Sequence, residues 1–290
     1  MPGKRTLRIF LRTPAGFSAF FLVLSLAMTP AGRAASLEVL ASIAPVHSLV
    51  AAVMQGAGEP RLIISGSASP HNIHLKPSQM RALQRADMVF RIGPALEHFL
   101  TKPARHLAAA GRLIDLAPGK GDPHVWLDPL RARDMVTVME AALVRLDPAS
   151  AALYRRNADR QRQRLADLDR RLRQKLSGIK ARPFLVYHDA FNAFVHRYHL
   201  TQVAAITLNP GRPPGVARIG RLRDMIVRGK VACIFTGPQF PPSLARALVR
   251  GTPARLAAAD PLGASLTPGP ELYFTLMNDL ADSFTTCLSK

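Results

Sequence analysis

Hydrophobic positions along the chain follow one pattern twice. Short apolar or β-branched runs alternate with stretches of helical spacing, the order expected of parallel sheets covered by helices. In the first half this predicts strands at 37–43, 61–65, 86–92 and 112–116, with helices near 45–55, 78–85 and 95–110. The pattern restarts after residue 180, with strands at 183–187, 202–208, 231–236 and 254–259 and helices between them. The middle differs. Asp128-Pro129 and Asp147-Pro148 each set a capping residue before a proline suited to the first helical position. In the second of these helices Leu165, Leu168, Leu172, Leu176 and Ile179 recur at three- and four-residue steps. Arg160, Arg162, Arg164, Arg170, Arg171 and Arg173 fill its other faces, interspersed with Asp159, Asp167 and Asp169 as on a solvated surface. This reads as one long helix over 148–177 lying along both halves. The fold class is therefore α/β: two Rossmann-like lobes, each a mainly parallel four-stranded sheet with flanking helices, joined by a long rigid helix. The expected divisions are 36–147, 148–180 and 181–290. A helical connector is stiffer than a coil, so large hinge closure should be limited.

In open α/β sheets, ligands bind beyond the carboxyl ends of the strands. Four metal-capable side chains fall there. His71 follows the 61–65 strand, His124 follows 112–116, His188 directly follows 183–187, and Asp260 follows 254–259. Two come from each half, so facing lobes would bring them together in the cleft. Neutral imidazole suits Zn²⁺ and other late first-row metals, whereas Mg²⁺ or Ca²⁺ would call for more carboxylates and carbonyls. Three histidines and one carboxylate form a tetrahedral zinc set. An ionised Asp260 would also offset the positive ends of nearby helices. Without it, water fills the fourth position. His74 is a possible accessory ligand. His47, His98, His106, His196 and His199 lie in predicted helices or near their ends and are assigned to packing or the surface. Asp128 reads as a helix cap, and Asp189 either orients a histidine or starts the next helix.

Composition adds a compartment. Lys4, Arg5, Arg8 and Arg12 precede an apolar run at 17–28 and then small residues around Ala34, the order of a cleavable leader over 1–35. The run is shorter than the roughly 20 residues a membrane span needs. No cysteine stands at the expected cleavage site to carry a lipid, so the mature chain is expected to be soluble in a periplasm-like space. An oxidising compartment favours joining Cys233 and Cys287, the alternative being two buried free thiols. The formal charge is +20, of which the leader contributes five basic residues. The basic residues are spread out and not interleaved with aromatics, so a nucleic-acid partner is not expected. Contact with anionic lipid headgroups is compatible with the charge.

Several segments together resemble the zinc-uptake periplasmic binding proteins of ABC transporters. They are Pro70-His71-Asn72-Ile73-His74-Leu75-Lys76-Pro77-Ser78, the stretch 87–93, His124-Val125-Trp126-Leu127-Asp128-Pro129 and His188-Asp189-Ala190-Phe191. Gly237-Pro238-Gln239-Phe240, Asp260-Pro261-Leu262-Gly263 and the Cys233/Cys287 pair extend the likeness over essentially the whole mature chain. The resemblance implies two lobes joined by a rigid helix and a metal held in the cleft by His71, His124 and His188. It also implies delivery of Zn²⁺ by a monomeric, non-enzymatic protein to an ABC membrane permease. Manganese-type relatives carry a carboxylate in place of His188, so zinc is favoured over manganese or iron. Two departures stand out. Many zinc members have a long His- and acid-rich loop before the second histidine, but 117–122 is short and has none. Some have an acidic residue before the first histidine, where this chain has Pro70. The fourth ligand stays open between Asp260 and water. A zinc hydrolase, the enzymatic alternative, would need a positioned general base, and no HExxH helix is present.

Overall fold

The first half builds a sheet from four short strands: β1 (Val39–Ala41), β2 (Arg61–Leu62), β3 (Met88–Arg91) and β4 (Leu113–Asp115). Its helices are α1 (Ala44–Met54), α2 (Pro77–Arg85), α3 (His98–Thr101) and α4 (Arg105–Ala109). These come from a computed structural model, which describes residues 1–4, 6, 37–119, 121–208, 210–211 and 213–289. Apart from Met1–Lys4 and Thr6, the predicted leader lies outside the described residues. All pairings are parallel, in the order β2-β1-β3-β4. Every residue of β3 is buried, Met88, Val89 and Phe90 as the apolar run of a strand covered on both faces and Arg91 through its pair with Asp115 at 2.6 Å. The helix predicted at 95–110 is instead two short helices. Pro103 falls between them and has no N–H with which to continue the ladder.

Two helices follow, α5 (Pro129–Leu146) and α6 (Ala151–Lys175), the latter entered through a 3₁₀ turn at Pro148–Ser150. The second half then repeats the first: β5 (Phe184–His188), α7 (Asn192–Tyr198), β6 (Gln202–Thr207), α8 (Val216–Val227), β7 (Cys233–Thr236), α9 (Ser243–Val249), β8 (Arg255–Ala258) and α10 (Leu272–Leu288). Its parallel order, β6-β5-β7-β8, is the same relative arrangement as in the first lobe. Among the described residues no helix is long and apolar enough to cross a membrane.

The 25 residues of α6 span about 38 Å at the α-helical rise. Its buried face, including Tyr154, Ala158, Leu165, Leu168 and Leu172, is the stripe read from the sequence. Toward the first lobe, the Asn157 amide donates to the Val53 and Gln55 carbonyls, two acceptors at the end of α1 that the helix ladder leaves open. Toward the second, Arg164 forms a two-pronged pair with Glu271 at 2.7 and 2.6 Å and lies 4.0 Å over the Phe274 ring. The main apolar core is continuous through this helix. It runs from Leu40 and Phe90 through Leu165 and Leu168 to Phe184, Phe235 and Phe284. A smaller cluster with Leu185, Ile206, Ile226 and Leu248 fills the outer side of the second sheet. Spreading the lobes would expose part of a shared core to water, which physically restricts hinge motion.

Cys233, the first residue of β7, is bonded to Cys287 near the end of α10, across 54 residues of sequence. The bond ties the last helix to the sheet it covers. On the chain-entropy model a loop of this length stabilises the fold by about 4 kcal/mol. A Cys233→Ser, Cys287→Ser variant is expected to lose up to that amount, read as a lower denaturant midpoint with a somewhat steeper slope, because the unfolded chain without its cross-link is more extended.

Candidate metal centre

His188 stands at a strand end, and His71 and His124 lie in loops that follow strands. His188 is the last residue of β5, and in the second lobe β5 lies between β6 and β7, where chain connections diverge to opposite sides. His124 sits immediately before a 3₁₀ turn at Val125–Leu127 whose next residue, Asp128, caps α5 by accepting from the Leu130 amide at 2.9 Å. His71 lies in the loop ahead of α2.

The three rings converge. Their centroids are 5.3, 5.2 and 5.2 Å apart, a nearly equilateral arrangement. One ligand-capable nitrogen from each lies within 4.8 Å of the others. The Nε2 atoms of His71 and His124 are 3.2 Å apart. Two nitrogens bound tetrahedrally to one Zn²⁺ would be about 3.3 Å apart at ordinary Zn–N lengths. Both ring nitrogens of His188 are buried and, apart from a weak interaction with the Thr207 backbone, lack a hydrogen-bond partner, an arrangement that costs free energy unless something occupies the space before them. His124 and His188 are buried, and His71 is mostly so.

Burial, which disfavours the charged imidazolium, is the main reason His71 has its pKa lowered to about 4 and His188 to about 3. The charge of neighbouring histidines acts in the same direction; Asp122 partly opposes it at His71, and the Thr207 backbone and then Asp122 oppose it at His188. These rings are therefore neutral, the form that binds a cation.

Asp122 is the functional residue that sequence reasoning passed over. Its Oδ1 is 2.7 Å from Nδ1 of His124, and it also accepts from the His124 amide at 3.1 Å. The Nδ1 proton is thereby directed to the carboxylate, leaving the Nε2 lone pair to face the other histidines. Burial pushes the Asp122 pKa upward, but the hydrogen bond and charge of His124 outweigh it and the net shift is downward. The only sequence signal was proximity, an acid two residues before a ligand-type histidine. Removing this partner by Asp122→Ala is expected to weaken metal binding about 10- to 100-fold, read by competition with a chelator.

A chamber of about 20 Å³ opens among the rings, lined also by Ser69, Trp126, Gln239 and Phe240. That is room for one or two water-sized occupants. Phe240 stacks on Tyr187 at 4.8 Å and stands 5.7 Å from the His188 ring, shielding it. The Trp126 indole N–H donates to the Pro261 carbonyl at 2.8 Å, and Tyr273 donates to the Trp126 carbonyl at 2.6 Å, so the His124 loop is fastened to the opposite lobe.

Asp260 does not join the three rings. Its Oδ1 accepts from Gln239 at 2.9 Å and from the Leu262 amide at 3.0 Å, and its Oδ2 accepts from the Ala264 amide at 2.5 Å. His74 is exposed and also outside the group. Asp189 neither orients a ligand histidine nor caps α7. It accepts from Gln202 at 2.8 Å, tying β5 to β6, and the residue preceding α7 is Phe191.

Two parallel-sheet lobes on a rigid helix, with a metal-type histidine cluster at their junction, define a solute-binding protein for a transition-metal ion. At 34% identity the chain is similar to the high-affinity zinc uptake system protein ZnuA of Brucella suis biovar 1, over 87% of this chain and 92% of that protein. Its fold is similar to a crystal structure of ZnuA, with a TM-score of 0.78 and 23% identity over 88% of this chain and 100% of that one. It is also similar to the periplasmic zinc binding protein TroA of Treponema pallidum, with a TM-score of 0.80 and 19% identity over the same shares. The family described as zinc-uptake complex component A, periplasmic, matches residues 39–287, and the chain belongs to that family. It is accordingly a binding protein and not an enzyme.

Proposed function

We propose that this protein captures Zn²⁺ between its lobes through His71, His124 and His188, with a water at the fourth position, and delivers it to the membrane permease of an ABC importer. The convergence of three imidazoles on one small chamber, with His71 and His188 held neutral by burial, carries the reading. Nitrogen donors without a carboxylate suit zinc better than manganese, which prefers oxygen. Asp260 is engaged by three donors, and taking it to the metal would strip them of their acceptor, so water is the simpler fourth ligand. The chain acts as a monomer with no nucleic-acid partner, secreted by cleavage of a leader over 1–35. Its working parts are the lobes at 36–147 and 181–290 and the linking helix at 148–180.

Equilibrium dialysis of the mature protein tests this. One equivalent of Zn²⁺ should be retained in preference to Mn²⁺, and a His71, His124, His188→Ala triple variant should retain none. Zinc retention by that variant, or preference for Mn²⁺, would overturn the assignment.

A further inference from the structure

Besides the histidines, the chamber contains a polar side chain whose bonding is incomplete. Gln239 lines it together with the three histidines. Its amide nitrogen donates to Asp260 Oδ1 at 2.9 Å. A carboxylate only accepts, so this bond fixes which end of the amide is nitrogen and which is oxygen. The remaining end, Oε1, is buried and accepts no hydrogen bond. Such an acceptor is costly unless a donor arrives.

The local sequence keeps this end of Gln239 in place. A Cβ at position 237 would lie 2.3 Å from Oε1 and 3.1 Å from the Ala259 carbonyl, so only glycine leaves room for the amide. Asp260 is itself held by the Leu262 and Ala264 amides. Backbone thus orients Asp260, and Asp260 orients Gln239. Of the other non-histidine polar side chains in the lining, the Trp126 N–H is already spent on Pro261, and Ser69 is only partly buried. Pro70, Ala190, Phe240 and Leu262 supply apolar wall. A metal-bound water is a strong donor and would have few acceptors in such surroundings. Among the lining side chains, Gln239 alone has a buried oxygen left unpaired.

We propose that Gln239 Oε1 accepts a hydrogen bond from the water completing the zinc coordination, with Asp260 holding the amide in position. Asp260 then serves the fourth coordination site at one remove and is not itself a ligand. Gln239 is a positioning residue, because it touches the water and not the metal. This rests on the three-histidine reading above.

A crystal structure of the zinc-loaded mature protein, with anomalous signal at the zinc edge, tests the two separately. Expected is zinc on the three histidines, with a non-protein oxygen both bound to it and within hydrogen-bond distance of Gln239 Oε1. Zinc on the histidines with Asp260 or Gln239 as fourth ligand, or with the oxygen away from Gln239, would overturn the proposal and leave the reading intact. Zinc elsewhere would overturn the reading. In solution, Gln239→Met keeps the length and removes the acceptor. It should bind zinc 10- to 100-fold more weakly. Loaded with Co²⁺, it should change its visible spectrum at lower thiocyanate concentrations than the wild type, because the competing water is no longer held. Unchanged affinity and an unchanged thiocyanate response, with apo melting equal to wild type, would also overturn it.

Discussion

His188→Ala is expected to weaken zinc binding roughly 100- to 1,000-fold while leaving the metal-free protein folded. Apparent binding free energies of four-ligand zinc sites are about 10–16 kcal/mol, so one ligand carries about 3–4 kcal/mol. Each 1.4 kcal/mol is tenfold in affinity. The metal-free fold should survive because the imidazole adds little to it. Both its nitrogens are buried with at most a weak interaction with the Thr207 backbone, so deleting them removes a desolvation cost that offsets the cavity left behind. Most of the β5 ladder is untouched, since its backbone pairs on both sides with β6 and β7. Chelator competition gives the affinity, and thermal melting without metal gives the control. A variant that loses zinc binding only because it unfolds would refute the argument, as would one that binds within threefold of wild type.

The contrast between His188 and Gln239 shows which features were legible in the sequence. A ligand on a strand end can be placed from periodicity alone, because a parallel strand buried on both faces appears as a short apolar run with a defined carboxyl end. On that basis His71, His124 and His188, each following a predicted strand, read as a set from the sequence alone. All eight strands and the stripe of the linking helix were visible in the same way. Helix continuity was less so: the apolar spacing at 95–110 outweighed Pro103 in the reading, although a proline there interrupts the hydrogen-bond ladder.

Side-chain direction is a tertiary property and was not legible. Asp189 and Asp260 stand just past strand ends and Asp122 in the loop after a third strand, and sequence does not say where any of their side chains turns. The structure does: Asp122 turns to a ligand histidine, Asp189 to a neighbouring strand and Asp260 to a glutamine and two amides. Likewise, the stripe on α6 predicts burial but not its partner. One core continuous through both lobes emerges only in the folded chain, where Leu165 and Leu168 fall in the same cluster as Phe90 and Phe284.

Acidification should destabilise the metal-free protein steeply, and zinc should offset the loss. His71 and His188 have folded-state pKa values lowered to about 4 and about 3 from an ordinary 6.5. Between those limits the unfolded chain binds protons that the folded chain refuses. Stability contributed by the neutral rings is therefore present above pH 6.5 and lost as pH falls toward 4 and then 3. Each ring contributes a slope of up to about 1.4 kcal/mol per pH unit within its window. His47, lowered by burial against the opposing hydrogen bond to Pro60, adds a slope of the same sign. Zinc needs these rings neutral, and the fold already keeps them so. Binding at pH 5–7 should therefore release few protons from His71 and His188, and excess zinc should hold the melting temperature up where the metal-free protein is losing it. Melting curves from pH 4 to 8, with and without zinc, read the slope, and imidazole NMR titrations of the metal-free protein read the rings directly. Ring resonances of His71 and His188 that titrate near pH 6.5 would contradict the burial argument, and a metal-free melting temperature flat across this range would contradict its link to stability.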